Sequence, residues 1–149
     1  MLVGCGSNGG APDSSGGSTA TVSARTVSGV GTVLVSSTGS TLYVTEQDSG
    51  GVVRCAAECA MVWPPLTVSG TPTAGDGITG ALATVSRPDG TTQVTYNGSP
   101  LYSFSLDPGP GQVKGNGVID SFAGTNFEWH AATPTGAALT PTATGRDGY

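Results

Sequence analysis

Cys55 and Cys59 stand four residues apart in "RCAAECAMVWPPL", with Met61 just beyond them and a lone histidine, His130, far along the chain. Two chemistries suit that set. As thiolates, Cys55 and Cys59 would join the thioether of Met61 or the imidazole of His130 in a soft donor set suited to copper. Oxidised to a disulfide, they would leave no thiolate for a metal and would fix local geometry instead. Spacing permits the bridge only where the chain bends: extended, the two Cα atoms lie about 13 Å apart, whereas one helical turn brings them to roughly 6 Å. Which state holds depends on the compartment.

The third cysteine bears on that. Leu2-Val3-Gly4-Cys5 looks like a bacterial lipobox, in which small residues give a signal peptidase access to the backbone and the thiol accepts lipid. A full export signal also has a charged and an apolar stretch upstream. The rest of it is expected to have been trimmed away, or to lie ahead of a start assigned too late. Residues 6 to 25 are nearly all Gly, Ser, Ala and Thr, a composition that buries too little apolar surface to offset its ordering entropy. Residues 1–25 therefore read as a lipid-attached leash, and two or more acyl chains on Cys5 would hold it to a membrane stably. An extracytoplasmic address, on the periplasmic or cell-surface face, favours the Cys55–Cys59 disulfide, with Val53 to Met61 as a tight or single helical turn.

Composition narrows the function further. Twenty-five glycines, ten prolines and only 10% charged residues describe strands and turns rather than amphipathic helices. A net charge of −5 with five scattered basic residues lacks the basic stripe that nucleic acid requires. Asp107, Asn116 and Asp120 in "DPGPGQVKGNGVID" offer oxygen ligands for calcium, but their spacing matches no standard calcium loop. No nucleophile elbow accompanies His130, "GNG" and "GPG" are turn glycines, and no Cys-x-x-Cys-His exists for haem. A non-catalytic protein without a cofactor is expected. Trp63, Trp129 and the tyrosines could line a sugar or peptide groove, although Trp before Pro more often packs in a core.

The elements that would position these residues are short strands. "TVLVSSTGSTLYV" reads as strand, turn at Ser37-Thr38-Gly39, strand. "TQVTYNGSPLYSF" repeats that design around Asn97-Gly98, the strongest short hairpin signal. Pro88-Asp89-Gly90 marks another turn, so strands near 82–86, 92–96 and 100–105 form a meander. The halves resemble each other: each has Leu-Tyr, an Asp five residues after the Tyr, then Trp, then Pro. That is Tyr43, Asp48 and Trp63 in the first, Tyr102, Asp107 and Trp129 in the second. Two copies of one β unit, about 30–75 and 80–140, are expected to pack together, neither stable alone. Tyr102 and Phe104 would share one strand face toward the core, and Asp107 would close the turn at Pro108-Gly109.

Tyr102-Ser103-Phe104-Ser105-Leu106-Asp107, with the blocks "RPDGTTQVTYNGSPLYSF", "CAAECAMVWPPL" and "GQVKGNGV", resembles the bacterial "secreted repeat" predicted lipoproteins and their Tyr-x-(Phe/Trp/Tyr)-x-x-Asp motif, over roughly residues 30 to 135. The first copy departs from it, with Thr45 where the motif has an aromatic. The resemblance implies export, lipid anchoring and tandem β units, and no established activity. Copper chaperones of cytochrome oxidase assembly also use Cys-x-x-x-Cys with a distant His, but on an α/β fold that this composition does not support. The expected architecture is all-β: antiparallel hairpins or a meander forming a small sandwich or barrel over 26–140, with 141–149 a flexible tail. The expected function is an envelope-anchored, non-catalytic binding or interaction module, its partners a membrane and an envelope protein or the cell wall. A copper or redox lipoprotein and a surface adhesin are the alternatives.

Overall fold

The computed structural model describes residues 20–136 apart from 52 and 123. Eight strands follow in order: β1 Val22–Val27, β2 Gly31–Ser36, β3 Tyr43–Thr45, β4 Leu82–Ser86, β5 Thr92–Tyr96, β6 Ser99–Pro100, β7 Ile119–Phe122 and β8 Thr125–Ala131. A 3-10 turn, Glu46–Gly51, follows β3, and one short helix, α1 Glu58–Val62, precedes Trp63. The strands pair antiparallel in three small sheets, ordered β1-β2, β3-β8-β7 and β4-β5-β6. All-β is thus the architecture, but the described sheets stay open and single bridges join them, so the barrel alternative is set aside.

Two expectations about strands need correction. β1 begins at Val22, inside the stretch read as leash, because Val22 is fully buried and its neighbours pair with β2 from Val22–Ser36 to Val27–Gly31. The third strand of the meander stops at Pro100, short of the expected 105, because from Tyr102 onward the chain pairs with the other half. The Tyr102 N–H donates to the Tyr43 carbonyl (2.9 Å) and the Tyr43 N–H to that of Tyr102 (2.7 Å).

That exchange between two equivalent tyrosines marks a local two-fold axis. Around it each bond in one half has a counterpart. The Leu42 N–H donates to Leu34 (2.8 Å), as Leu101 does to Val94 (3.0 Å). The Ala132 N–H donates to Leu42 (2.8 Å), as Leu66 does to Leu101 (2.9 Å). Leu34 donates to Ala132 and Val94 to Leu66, both at 2.8 Å. Leu66 belongs to the first repeat yet lies in the second repeat's hairpin, and Ala132 does the reverse. Each repeat lends its last extended segment to the other.

Alternation along the hairpins sorts side chains into two cores. Val33, Val35, Tyr43 and Tyr102 face an aromatic cluster with Trp63, Phe104, Phe127 and Trp129. Leu34, Leu42, Val94, Tyr96 and Leu101 face an aliphatic cluster with Val22 and Ala132. β2 and β5 are covered on both sides, which is why Val33-Leu34-Val35 is an unbroken buried run. Asn97 and Gly98 both take positive φ (50° and 87°), as the type I′ hairpin demands.

Candidate functional site

The motif residues meet at the two-fold axis, and they pair across it. The hydroxyl of Tyr43, from the first repeat, donates to Asp107 Oδ2 of the second at 2.6 Å. The hydroxyl of Tyr102, from the second, donates to Asp48 Oδ2 of the first. Each carboxylate also gathers the backbone of its own loop: Asp48 Oδ1 accepts the Arg54 N–H (2.7 Å) and Asp107 Oδ1 the Lys114 N–H (2.9 Å). Asp107 therefore does not simply close the Pro108-Gly109 turn. A local closure competes poorly with a phenol that burial has stripped of water and that must find an acceptor.

Burial governs the electrostatics. Both tyrosine hydroxyls are pushed well above their ordinary range by desolvation, reinforced by the aspartate each one faces. Asp48 and Asp107 are raised as well, because burial outweighs the tyrosine and backbone bonds that favour their ionised forms. Beside Asp48 lies the buried Arg87, whose Nη1 donates to Gln93 Oε1 (2.7 Å) and Nη2 to the Cys55 carbonyl (2.9 Å), with the guanidinium 5.9 Å from the Tyr102 ring centre.

Trp63 and Trp129 stack with centres 3.9 Å apart and planes 7° from parallel. Their indole N–H groups converge on one carboxylate: Trp63 on Asp120 Oδ2 (2.8 Å), Trp129 on Asp120 Oδ1 (2.9 Å). Neither ring is exposed to solvent, so the groove reading of these tryptophans is corrected: they are core. Phe104 extends the stack at 4.2 Å from Trp63. The oxygen donors considered for calcium have other uses. Asp107 and Asp120 serve Tyr43 and the indoles, and Asn116 Oδ1 accepts the Ala131 N–H (2.9 Å).

Sequence reasoning did not single out Gly115, which lies against this stack. A Cβ there would sit 2.8 Å from two atoms of the Trp63 ring and 3.0 Å from Tyr43. Gly115→Ala is expected to destabilise the fold by about 1–3 kcal/mol, read as a lower urea midpoint with an unchanged slope. A midpoint equal to the parent's would show that the stack can yield.

Cys55 and Cys59 form a disulfide across the start of α1, with Cα atoms 5.2 Å apart. Met61 points into solvent, 77% exposed, and His130 sits on β8 with Nε2 3.1 Å from Glu46 Oε2. The donor set weighed for copper is thus not gathered here: the sulfurs are joined, and His130 clusters with Glu46 and Glu128 instead. Cys5 lies outside the described residues. No helix among the described residues is long and apolar enough to cross a membrane.

Fold and site together define a β protein of two intertwined repeats, locked by crossed Tyr–Asp pairs around a shared tryptophan stack. The chain belongs to the family described as a secreted repeat of unknown function, whose model matches residues 25–67 and 83–133. Each matched segment ends just past the extended piece, at Leu66 or Ala132, that it lends to the other. The family places the chain outside the cytoplasm. No curated protein and no solved structure matches it.

Proposed function

We propose that this is a non-catalytic binding or interaction module of the bacterial cell envelope, held to a membrane by lipid on Cys5. The observation that carries the non-catalytic reading is the crossing of the motif. Tyr43, Tyr102, Asp48 and Asp107 face one another, and Asp120 serves two indoles. The side chains with the most chemistry hold the two repeats together. Binding then falls to the outer surface, where a cleft of about 270 Å³ opens between Val44, Tyr96, Asn97, Ser99, His130 and Thr133. Leu2-Val3-Gly4-Cys5 and the Gly/Ser-rich residues after it support the anchor.

Intact mass of the protein purified from its own cells tests this directly. The expected species carries acyl groups on Cys5, lacks the two hydrogens lost to one disulfide, and partitions with membranes, while Cys5→Ser moves it to the soluble fraction. An unacylated Cys5 in a membrane-free protein would remove the anchor from the proposal. Saturable binding to isolated cell-wall polymer would identify the wall as the partner.

A further inference from the structure

We infer that Glu46, Glu128 and His130 form a zinc site on the outer face of the β3–β8 pair. Pairing runs Val44–His130 and Thr45–Trp129. Glu46 opens the turn that follows the last pair, and Glu128 and His130 stand two residues apart on β8, on one side of the strand. The ligand atoms of all three lie within 4.8 Å of one another.

Two carboxylates this close to each other repel, and among the described residues no lysine or arginine pairs with either glutamate. The third member of the cluster is an imidazole, with Nε2 3.1 Å from Glu46 Oε2. One histidine and two carboxylates make a donor set that zinc accepts, leaving a fourth position open, and imidazole disfavours calcium or magnesium. Tetrahedral ligands on zinc stand about 3.4 Å apart, so the exposed glutamates need only rotate inward.

The backbone behind the cluster is tied down. Gln47 Oε1 accepts from the Thr45 hydroxyl and from the Glu128 N–H, both at 2.9 Å, clamping the turn that presents Glu46 onto β8. Gln47 is a positioning residue in this arrangement. Among the described residues His130 Nδ1 has no hydrogen-bond partner, and Nε2 is the ring atom that faces Glu46. Glu46 and His130 also line the 270 Å³ cleft, so the site borders it.

The test is calorimetric titration of zinc sulfate into the full chain carrying Cys5→Ser, so that the one cysteine outside the disulfide cannot bind zinc itself. One equivalent is expected to bind saturably, undiminished by calcium. His130→Gln and Glu128→Gln should each abolish saturable binding, while Met61→Ala keeps it. Glu128→Gln should in addition melt no lower than its parent without metal, since it removes a repulsion, and this separates ligand loss from misfolding. Absence of saturable binding in the parent, or its retention in either the His130 or the Glu128 variant, overturns the site. Neither result touches lipid attachment.

Discussion

Trp63→Ala is expected to lower stability by about 3–5 kcal/mol, a large part of the roughly 5–15 kcal/mol that holds a domain of this kind folded. Trp63 has no solvent exposure. It lies between Trp129 on one face and Phe104 on the other, with Tyr43 meeting it edge-on at 5.5 Å. Alanine would empty the middle of that stack and deprive Asp120 of one of its two indole donors. Trp63→Phe keeps much of the volume and loses the N–H, so a smaller loss, about 1–3 kcal/mol, is expected. Because Trp63 and Trp129 come from different repeats, both halves should unfold in one transition. Urea unfolding followed through Trp129 fluorescence measures the first quantity, and hydrogen exchange across β1–β2 and β4–β5 the second. A Trp63→Ala midpoint close to the parent's, or first-repeat strands that open alone, would contradict the shared core.

How much of this the residues announce depends on how local the signal is. Asn97-Gly98 needs only its own backbone preference, and the hairpin stands where expected. Alternation in "TNFEWHA" buries Phe127, Trp129 and Ala131 while leaving Glu128 out, a period-2 pattern visible in the sequence. β1 gives little warning. "VSARTV" fully buries only Val22 and leaves Arg25 and Thr26 exposed, so it blends into the polar residues before it. The one-turn spacing of Cys55 and Cys59 anticipates their bridge, which the short helix realises.

The site is legible in its members but not in its pairing. Tyr and Asp five residues apart suggest a contact within each repeat, and nothing in that spacing favours Asp48 meeting Tyr102 across 54 positions. Crossing follows from the two-fold axis, which appears only once Tyr43 and Tyr102 pair back to back. Asp120 was visible as a loop carboxylate. Its role depends on two buried indoles needing an acceptor, a requirement that exists only when the tryptophans are known to be interior.

A fold closed by buried phenols should fail in alkali. Folding lifts the hydroxyls of Tyr43 and Tyr102 well above the ordinary tyrosine range, so above about pH 10 the unfolded chain releases protons that the native state retains. The native state then binds more protons, and stability falls as pH rises. Below pH 10 the contribution is intact. The slope approaches about 1.4 kcal/mol per pH unit for each such tyrosine, hence about 3 kcal/mol over pH 10 to 11.5 for the two. At the acid end Asp48 and Asp107, also raised by burial, act with the same sign. Their stabilisation is full below the ordinary carboxylate range and is lost as pH climbs through their native values. Asp89, held low by Thr91, opposes this but is fully exposed and weighs little. Urea midpoints from pH 4 to 11.5 give the whole curve. Tyr102→Phe should begin less stable, because Asp48 loses its phenol, yet show about half the alkaline slope. Ionisation of Tyr43 or Tyr102 at ordinary pH in protein that remains folded would mean the crossed pairs are open to water.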